Sequence, residues 1–253
     1  MQNYKLFLLV AMVTILSACQ QAEDAPTVEV KSDEQVVKQS VSDEVPKVNR
    51  EAADKITQAV AISRKARISD VTYTLGIDLI SLADDYQGQV DMTFELNNND
   101  QDLTVDFTGG SVATVVVNEQ NVAVNYNGFF ITLAADSLLL GSNQVSITYS
   151  HPYGQDGNGL HRFVDPEDGE TYIYTYLWPY YSNRLFPNFD QPNLKATYAM
   201  TVRAKSDWQV VSAMPENRVV DDGGDKVWHF PRSKKFSSYI FSLHAGPVSY
   251  THL

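Results

Sequence analysis

The chain has 253 residues, enough for one large β domain or two small ones with a real core. With 31 Asp and Glu against 19 Lys and Arg, its net charge of −12 leaves no basic stripe for phosphates, and nucleic acid is excluded as a partner. Its five histidines, His151, His161, His229, His244 and His252, form no His-Glu-x-x-His or other short metal-ligand spacing, so no metal is expected to bind within this chain.

At the N-terminus, Lys5 stands in a short polar start and Leu6–Leu16 is an apolar run too short to anchor stably across a bilayer. Leu16-Ser17-Ala18-Cys19 then resembles the lipobox of bacterial lipoproteins, in which the signal is cut before the cysteine and the cysteine carries lipid. Residues 1–19 are expected to be such a signal peptide, with Cys19 the lipidation site; an ordinary signal peptide with an incidental cysteine is the alternative. Gln20, rather than Asp, follows Cys19, which by the same resemblance implies a lipid-anchored protein of the bacterial envelope sorted to the outer membrane. As Cys19 is the single cysteine, no internal disulfide can form. Residues 20–50 are acidic, with Pro26 and Pro46 and no sustained apolar period, and are expected to be a disordered tether.

From residue 51 to 253 one domain is expected. Ala52, Ile56, Ala59, Val60 and Ser63 recur at spacings of three and four and predict a short amphipathic helix over Glu51–Lys65. The period then becomes two: Val71, Tyr73, Leu75, Ile77 and Leu79; Val90, Met92, Phe94 and Leu96; Leu103, Val105 and Phe107. Val122, Val124 and Tyr126 run into Asn127-Gly128, which predicts a two-residue hairpin turn before Ile131 and Leu133. Further strands are expected at Val145–Tyr149, Leu194–Val202, Trp208–Val210, Val227–Phe230 after an Asp221–Asp225 turn, and through Tyr239, Phe241 and Leu243. Short strands about ten residues apart without intervening helices predict an all-β fold, an antiparallel β-sandwich or saddle.

The stretch from Gly159 to Tyr198 has an unusual composition for a spacer. Tyr172 and Tyr174 alternate like a strand, Trp178-Pro179-Tyr180-Tyr181 must turn because Pro179 lacks an N–H, and Pro187–Pro192 makes a second turn. Such an aromatic corner can wall a ligand cleft or be plain core. Arg184, Asp190 and Lys195 can serve either as substrate groups or as structure; the structural reading is preferred, with Asp190 expected to form a turn, Arg184 to be a buried partner for a carboxylate, and His161-Arg162 to belong to the scaffold. Asp156-Gly157-Asn158-Gly159 reads as a mobile loop with too few carboxylates for calcium.

Gly159–Thr175 followed by Arg184–Tyr198 resembles the signature of the N-terminal domain of zinc aminopeptidases of the aminopeptidase N (gluzincin) family. That signature has a Thr-Gln-x-Glu segment, an Arg ahead of Phe-Pro, and a Phe-Asp-Glu/Gln-Pro-x-Leu-Lys-Ala run; Thr175–Trp178, Arg184 before Phe186-Pro187, and Phe189–Ala196 match it in order. The resemblance extends more weakly from about residue 50 to residue 248. It implies a β-rich domain packed against a thermolysin-like catalytic domain that carries Gly-x-Met-Glu-Asn and His-Glu-x-x-His and binds zinc. Neither motif occurs in these 253 residues, so a truncated aminopeptidase is expected, inactive alone and binding no cofactor, with zinc held by the full-length parent. The Gln and Glu of the segment help hold the peptide α-amine, and their positions here are Tyr176 and Trp178. Trp178 lacks an acceptor oxygen and would act through its ring face, shape an apolar pocket for the first side chain, or simply pack at a domain interface. The family's sharp cis bend implies a cis Trp178–Pro179 bond.

The partners expected on this reading are peptide substrates, the catalytic domain of the same chain, and a membrane reached through the lipid on Cys19. The competing expectation is a non-enzymatic β-sandwich lipoprotein that binds peptide or glycan through the aromatic corner.

Overall fold

Apolar side chains at every second position give a strand one face that must leave water, and several such strands must share a core. The computed structural model describes residues 47–81 and 84–248. Chain contacts divide the protein into Met1–Ser42 and Asp43–Leu253, and every described residue lies in the second unit. The expected signal segment, Cys19 and the tether as far as residue 46 lie outside the described residues. Residues 47–50, expected at the tether's end, are described, and there the Arg50 side chain is only 4 % exposed.

Helix α1 (Gln58–Arg67) leads straight into β1 (Ile68–Asp78). Then follow β2 (Asp85–Leu96), β3 (Leu103–Asp106), β4 (Ser111–Val117), β5 (Gln120–Val122), β6 (Phe130–Leu133), β7 (Gly141–Pro152), β8 (Gly159–Val164) and β9 (Thr171–Tyr176). The last five are β10 (Thr197–Lys205), β11 (Trp208–Ser212), β12 (Arg218–Asp222), β13 (Asp225–Phe230) and β14 (Leu243–Pro247). One eight-stranded sheet runs β12-β13-β10-β1-β2-β7-β4-β5, a four-stranded sheet runs β11-β14-β9-β8, and β3 pairs with β6. Among the described residues the fold is all-β with one short helix, as expected.

The inner face of the large sheet presents Tyr73 and Leu75 from β1, Met92 and Phe94 from β2, Ile147 from β7 and Val202 from β10. Leu160, Ile173, Val210 and Leu243 of the four-stranded sheet enter the same cluster, as do Leu103, Val105, Ile131 and Leu133 of β3 and β6. Three sheets thus close one core, in which each fully buried large apolar side chain contributes about 1.5–3 kcal/mol.

Several elements differ from the sequence expectation, each for a local reason. The helix begins at Gln58 rather than Glu51, because Thr57 caps it: the Thr57 hydroxyl accepts the Val60 N–H at 3.3 Å. Asn127-Gly128 is not the two-residue hairpin turn. Asn127 Oδ1 accepts the N–H groups of both Phe129 and Phe130 at 3.0 Å, which folds a wider loop, and the strand before it stops at Val122. The tight hairpin lies at Asn118-Glu119 instead, both at positive φ, between the paired Val117 and Gln120. After β13 the chain makes a short 3₁₀ turn at Ser238–Ile240, so extended pairing resumes only at Leu243. Finally, the sheet is not purely antiparallel: β1 and β10 run parallel from Thr72↔Thr197 to Asp78↔Arg203, with β2–β9 as the crossover.

Candidate functional site

Strand β9 presents the aromatic corner. Ile173 points into the core, and Thr175 Oγ1 accepts the Leu243 N–H at 3.0 Å. The period of two therefore turns Tyr174 and Tyr176 outward, at 36 % and 46 % exposure. Tyr174 has His161 of β8 opposite it on one side and His244 of β14 on the other, and the Tyr174 and His161 rings lie 4.9 Å apart. Past the strand end Leu177 is buried, Trp178 stands 58 % exposed, and Pro179 follows through a cis peptide bond, as expected. The Tyr181 N–H closes the turn on the Leu177 carbonyl at 3.0 Å.

The segment after the corner is scaffold. Phe186 and Phe189 are wholly buried, meeting Tyr73 and Phe94 edge-on at ring distances of 5.6 and 5.4 Å. Tyr86 Oη donates to the Leu185 carbonyl at 2.8 Å, and Tyr73 Oη accepts the Phe189 N–H at 2.9 Å. Asp190, expected to shape a turn, is 1 % exposed and acts as a buried acceptor. Its Oδ2 takes the Asn183 N–H at 3.1 Å and Nδ2 at 3.0 Å, and its Oδ1 takes the Ser238 hydroxyl at 2.8 Å. Burial nevertheless raises its pKa above the ordinary carboxylate value. Arg184 pairs with Asp54 at 2.8 Å, lies 3.5 Å from Asp156 and stacks over the Tyr181 ring at 4.9 Å, so it does partner a carboxylate but is half-buried rather than buried. Lys195 is exposed. Arg162 pairs with Asp84 at 3.1 Å, and His161 Nδ1 accepts the Gly157 N–H at 3.1 Å, which ties both to the scaffold.

Beneath the corner lies a network that the sequence reading missed. Asp106 on β3 accepts Nη1 of Arg50 and, at 2.9 Å, Nη1 of Arg64 from α1, while its Oδ2 also accepts the Asp190 N–H at 2.8 Å. Arg50 reaches onward with Nη2 to Tyr180 Oη at 3.1 Å. Desolvation pushes the Tyr180 hydroxyl far above its ordinary pKa, so it stays neutral. These residues come from separate segments and share no motif. One sequence signal existed: the buried face of α1 is Val60, Ser63, Arg64 and Arg67, a helical stripe with two arginines on its inner side.

Zinc chemistry does not fit the described residues. Among the described residues no three His, Cys, Asp or Glu side chains converge on a point. The two ring nitrogens of His151 lie against backbone carbonyls, of Pro152 at 2.6 Å and Thr108 at 2.8 Å, and His229 faces Arg218 at 3.1 Å. Tyr176 and Trp178 present an exposed aromatic face instead. A Trp ring attracts an ammonium through its face, and a Tyr hydroxyl can accept one N–H.

Comparison with known proteins places these features in a family. The Peptidase M1 N-terminal domain family matches residues 69–240. "Aminopeptidase N" of Streptomyces lividans is 29 % identical over 199 residues, covering 78 % of this chain and 23 % of that protein. "Aminopeptidase N" of Acetobacter pasteurianus is 26 % identical over 198 residues, with 70 % of this chain and 53 % of the relative covered. "Probable aminopeptidase 1" of Sulfurisphaera tokodaii is 34 % identical over 84 residues, 33 % of this chain and 11 % of that protein. The chain thus spans about a quarter of the length of its Streptomyces relative and about half that of the Acetobacter one. With the family signature laid along β8, β9 and the Phe186–Ala196 loop, and the family match covering most of the folded region, this chain belongs to the Peptidase M1 family as an N-terminal domain of the aminopeptidase N type.

Proposed function

We propose that this chain is the substrate-gating N-terminal domain of a membrane-anchored zinc aminopeptidase that removes N-terminal residues from peptides. The observation that carries this reading is the outward pair Tyr176 and Trp178, standing where the family's amine-holding Gln and Glu stand. In this arrangement the Trp178 ring face receives the peptide α-ammonium and the Tyr176 hydroxyl accepts one of its N–H bonds. Leu177, buried between them, and Tyr180, held by Arg50, keep both side chains aimed outward. In this reading zinc and the hydrolytic step belong to the catalytic domain of the full-length protein, consistent with the lack of any converging trio of His, Cys, Asp or Glu side chains among the described residues here. The lipid on Cys19 anchors the protein to the outer membrane, and residues 20–46 hold the domain off its surface. Replacing Cys19 by Ala should release the protein from the membrane fraction; retention there would exclude the anchor.

The test of the site uses the full-length enzyme and amino-acid anilides. Removing an ammonium–ring attraction of about 0.5–2 kcal/mol predicts that Trp178→Ala raises KM roughly 2- to 30-fold with kcat little changed. Trp178→Glu, which restores the family's carboxylate, should lower KM for free amines and leave N-acetylated substrates unimproved. If neither variant moves KM, the face does not touch substrate. Chelator-sensitive turnover by the 253-residue chain alone would place the catalytic machinery within it and refute the division of labour.

A further inference from the structure

A polar cavity of about 480 Å³ lies between α1, residues 48–50 and the 101–104 segment, on the side of Arg50 and Arg64. Three guanidinium groups line it, those of Arg50, Arg64 and Arg67. All three are nearly inaccessible, at 4 %, 3 % and 3 % exposure. A buried charge is normally matched by a counter-charge. Here, among the described residues, one buried carboxylate, Asp106, is shared by Arg50 and Arg64. Arg67 donates to main-chain carbonyls, of Asn98 at 3.0 Å, Asp102 at 3.0 Å and Gln101 at 2.6 Å, and the carboxylates of Asp100 and Asp102 act on it from farther away. The lining thus sets three guanidinium groups against one carboxylate, that of Asp102, inside a protein whose net charge is −12.

Hydrogen bonding shows the same imbalance. Arg50 Nε and Arg64 Nη2 are buried and find no acceptor among the described residues. Buried donors are almost always satisfied, and a charged one left unsatisfied is costly. Thr104 and Thr132 add hydroxyls to the wall, while Val60 and Phe130 exclude water from part of it. With Asp106 and Thr104 already accepting from Nη1 of both arginines, the two orphaned guanidinium N–H groups leave donors in excess of acceptors here.

We propose that this cavity is a binding site for a small oxyanion, a phosphate or carboxylate group, held by Arg50 and Arg64 with help from the Thr104 and Thr132 hydroxyls. Guanidinium forks match such groups in geometry as well as charge. The oxyanion has two sources: a free anion, or the chain's own Asp43 or Glu44, which precede the cavity wall at Val48 by a few residues. The site stands independently of the peptidase reading.

Sodium phosphate titrated calorimetrically into the full chain, at pH 7 in low chloride, should give saturable heat at one site and a higher melting temperature. Arg64→Lys keeps a charge facing Asp106 but deletes Nη2, and should weaken phosphate binding at least tenfold. Thr132→Glu puts a carboxylate on the cavity wall; it should raise the melting temperature without phosphate and abolish the phosphate response. The double variant Asp43→Asn/Glu44→Gln separates the sources. Tighter phosphate binding in it identifies the chain's own carboxylate as occupant, and unchanged affinity identifies a free anion. Absence of saturable binding in both the parent and that double variant overturns the proposal, as does a phosphate response that survives Thr132→Glu.

Discussion

Replacing Asp106 with Asn is the sharpest test of what supports the aromatic corner. The Asp106 side chain is wholly buried and accepts from Arg50, Arg64 and the Asp190 main chain. Asn keeps the volume and one acceptor oxygen but loses the charge, leaving two guanidinium groups buried with no counter-ion. Breaking a buried ion pair from one side costs about 3–5 kcal/mol, because the remaining charge is stranded in a medium that solvates it poorly. At roughly 2–4 °C per kcal/mol for a domain of this size, the melting temperature should fall by roughly 6–20 °C. Thermal and urea melts followed by circular dichroism at pH 7 measure this, and an unchanged urea slope would show that the variant still unfolds as one unit. Asp222→Asn is the control. Its carboxylate meets Arg203 at 3.2 Å but is 56 % exposed, and its loss should leave the midpoint where it was. If Asp106→Asn melts within about 2 °C of the parent, the network is not what holds the corner.

Two further outcomes follow from the core. Gly88 of β2 pairs with the buried Tyr149 of β7: an added Cβ would sit 2.4 Å from both Cζ and Oη of that side chain, so Gly88→Ala should cost about 1–3 kcal/mol, and a midpoint within error of the parent would contradict the packing. Burial holds the His151 pKa below its ordinary value, although the Pro152 and Thr108 carbonyls favour the charged ring. The unfolded chain therefore takes up this proton first, and stability should fall as pH drops below about 6.5. His151→Phe should remove that component of the slope between pH 7 and 5, and an unaltered slope would assign it to other groups.

How much was legible can be judged from particular residues. Alternation from Val71 to Leu79 and from Val90 to Leu96 placed β1 and most of β2 correctly, because a strand with one dry face writes its period into the sequence. Asn127-Gly128 misled, since the pair suits a two-residue turn but the Asn127 side chain captured two neighbouring N–H groups instead. Asn118-Glu119 made the tight hairpin without the glycine that usually announces one. The parallel pairing of β1 with β10 left no local trace: both strands alternate alike whichever way a partner runs.

The sequence by itself determined the strand periods, the turn at Trp178-Pro179 and the family signature, since each depends on residues close together in the chain. Only the tertiary structure decided which side chains face out at the corner and which charges meet beneath it. Asp106, Arg50, Arg64 and Tyr180 lie far apart along the chain, and a carboxylate selects its partners by distance in space, which no short-range pattern encodes.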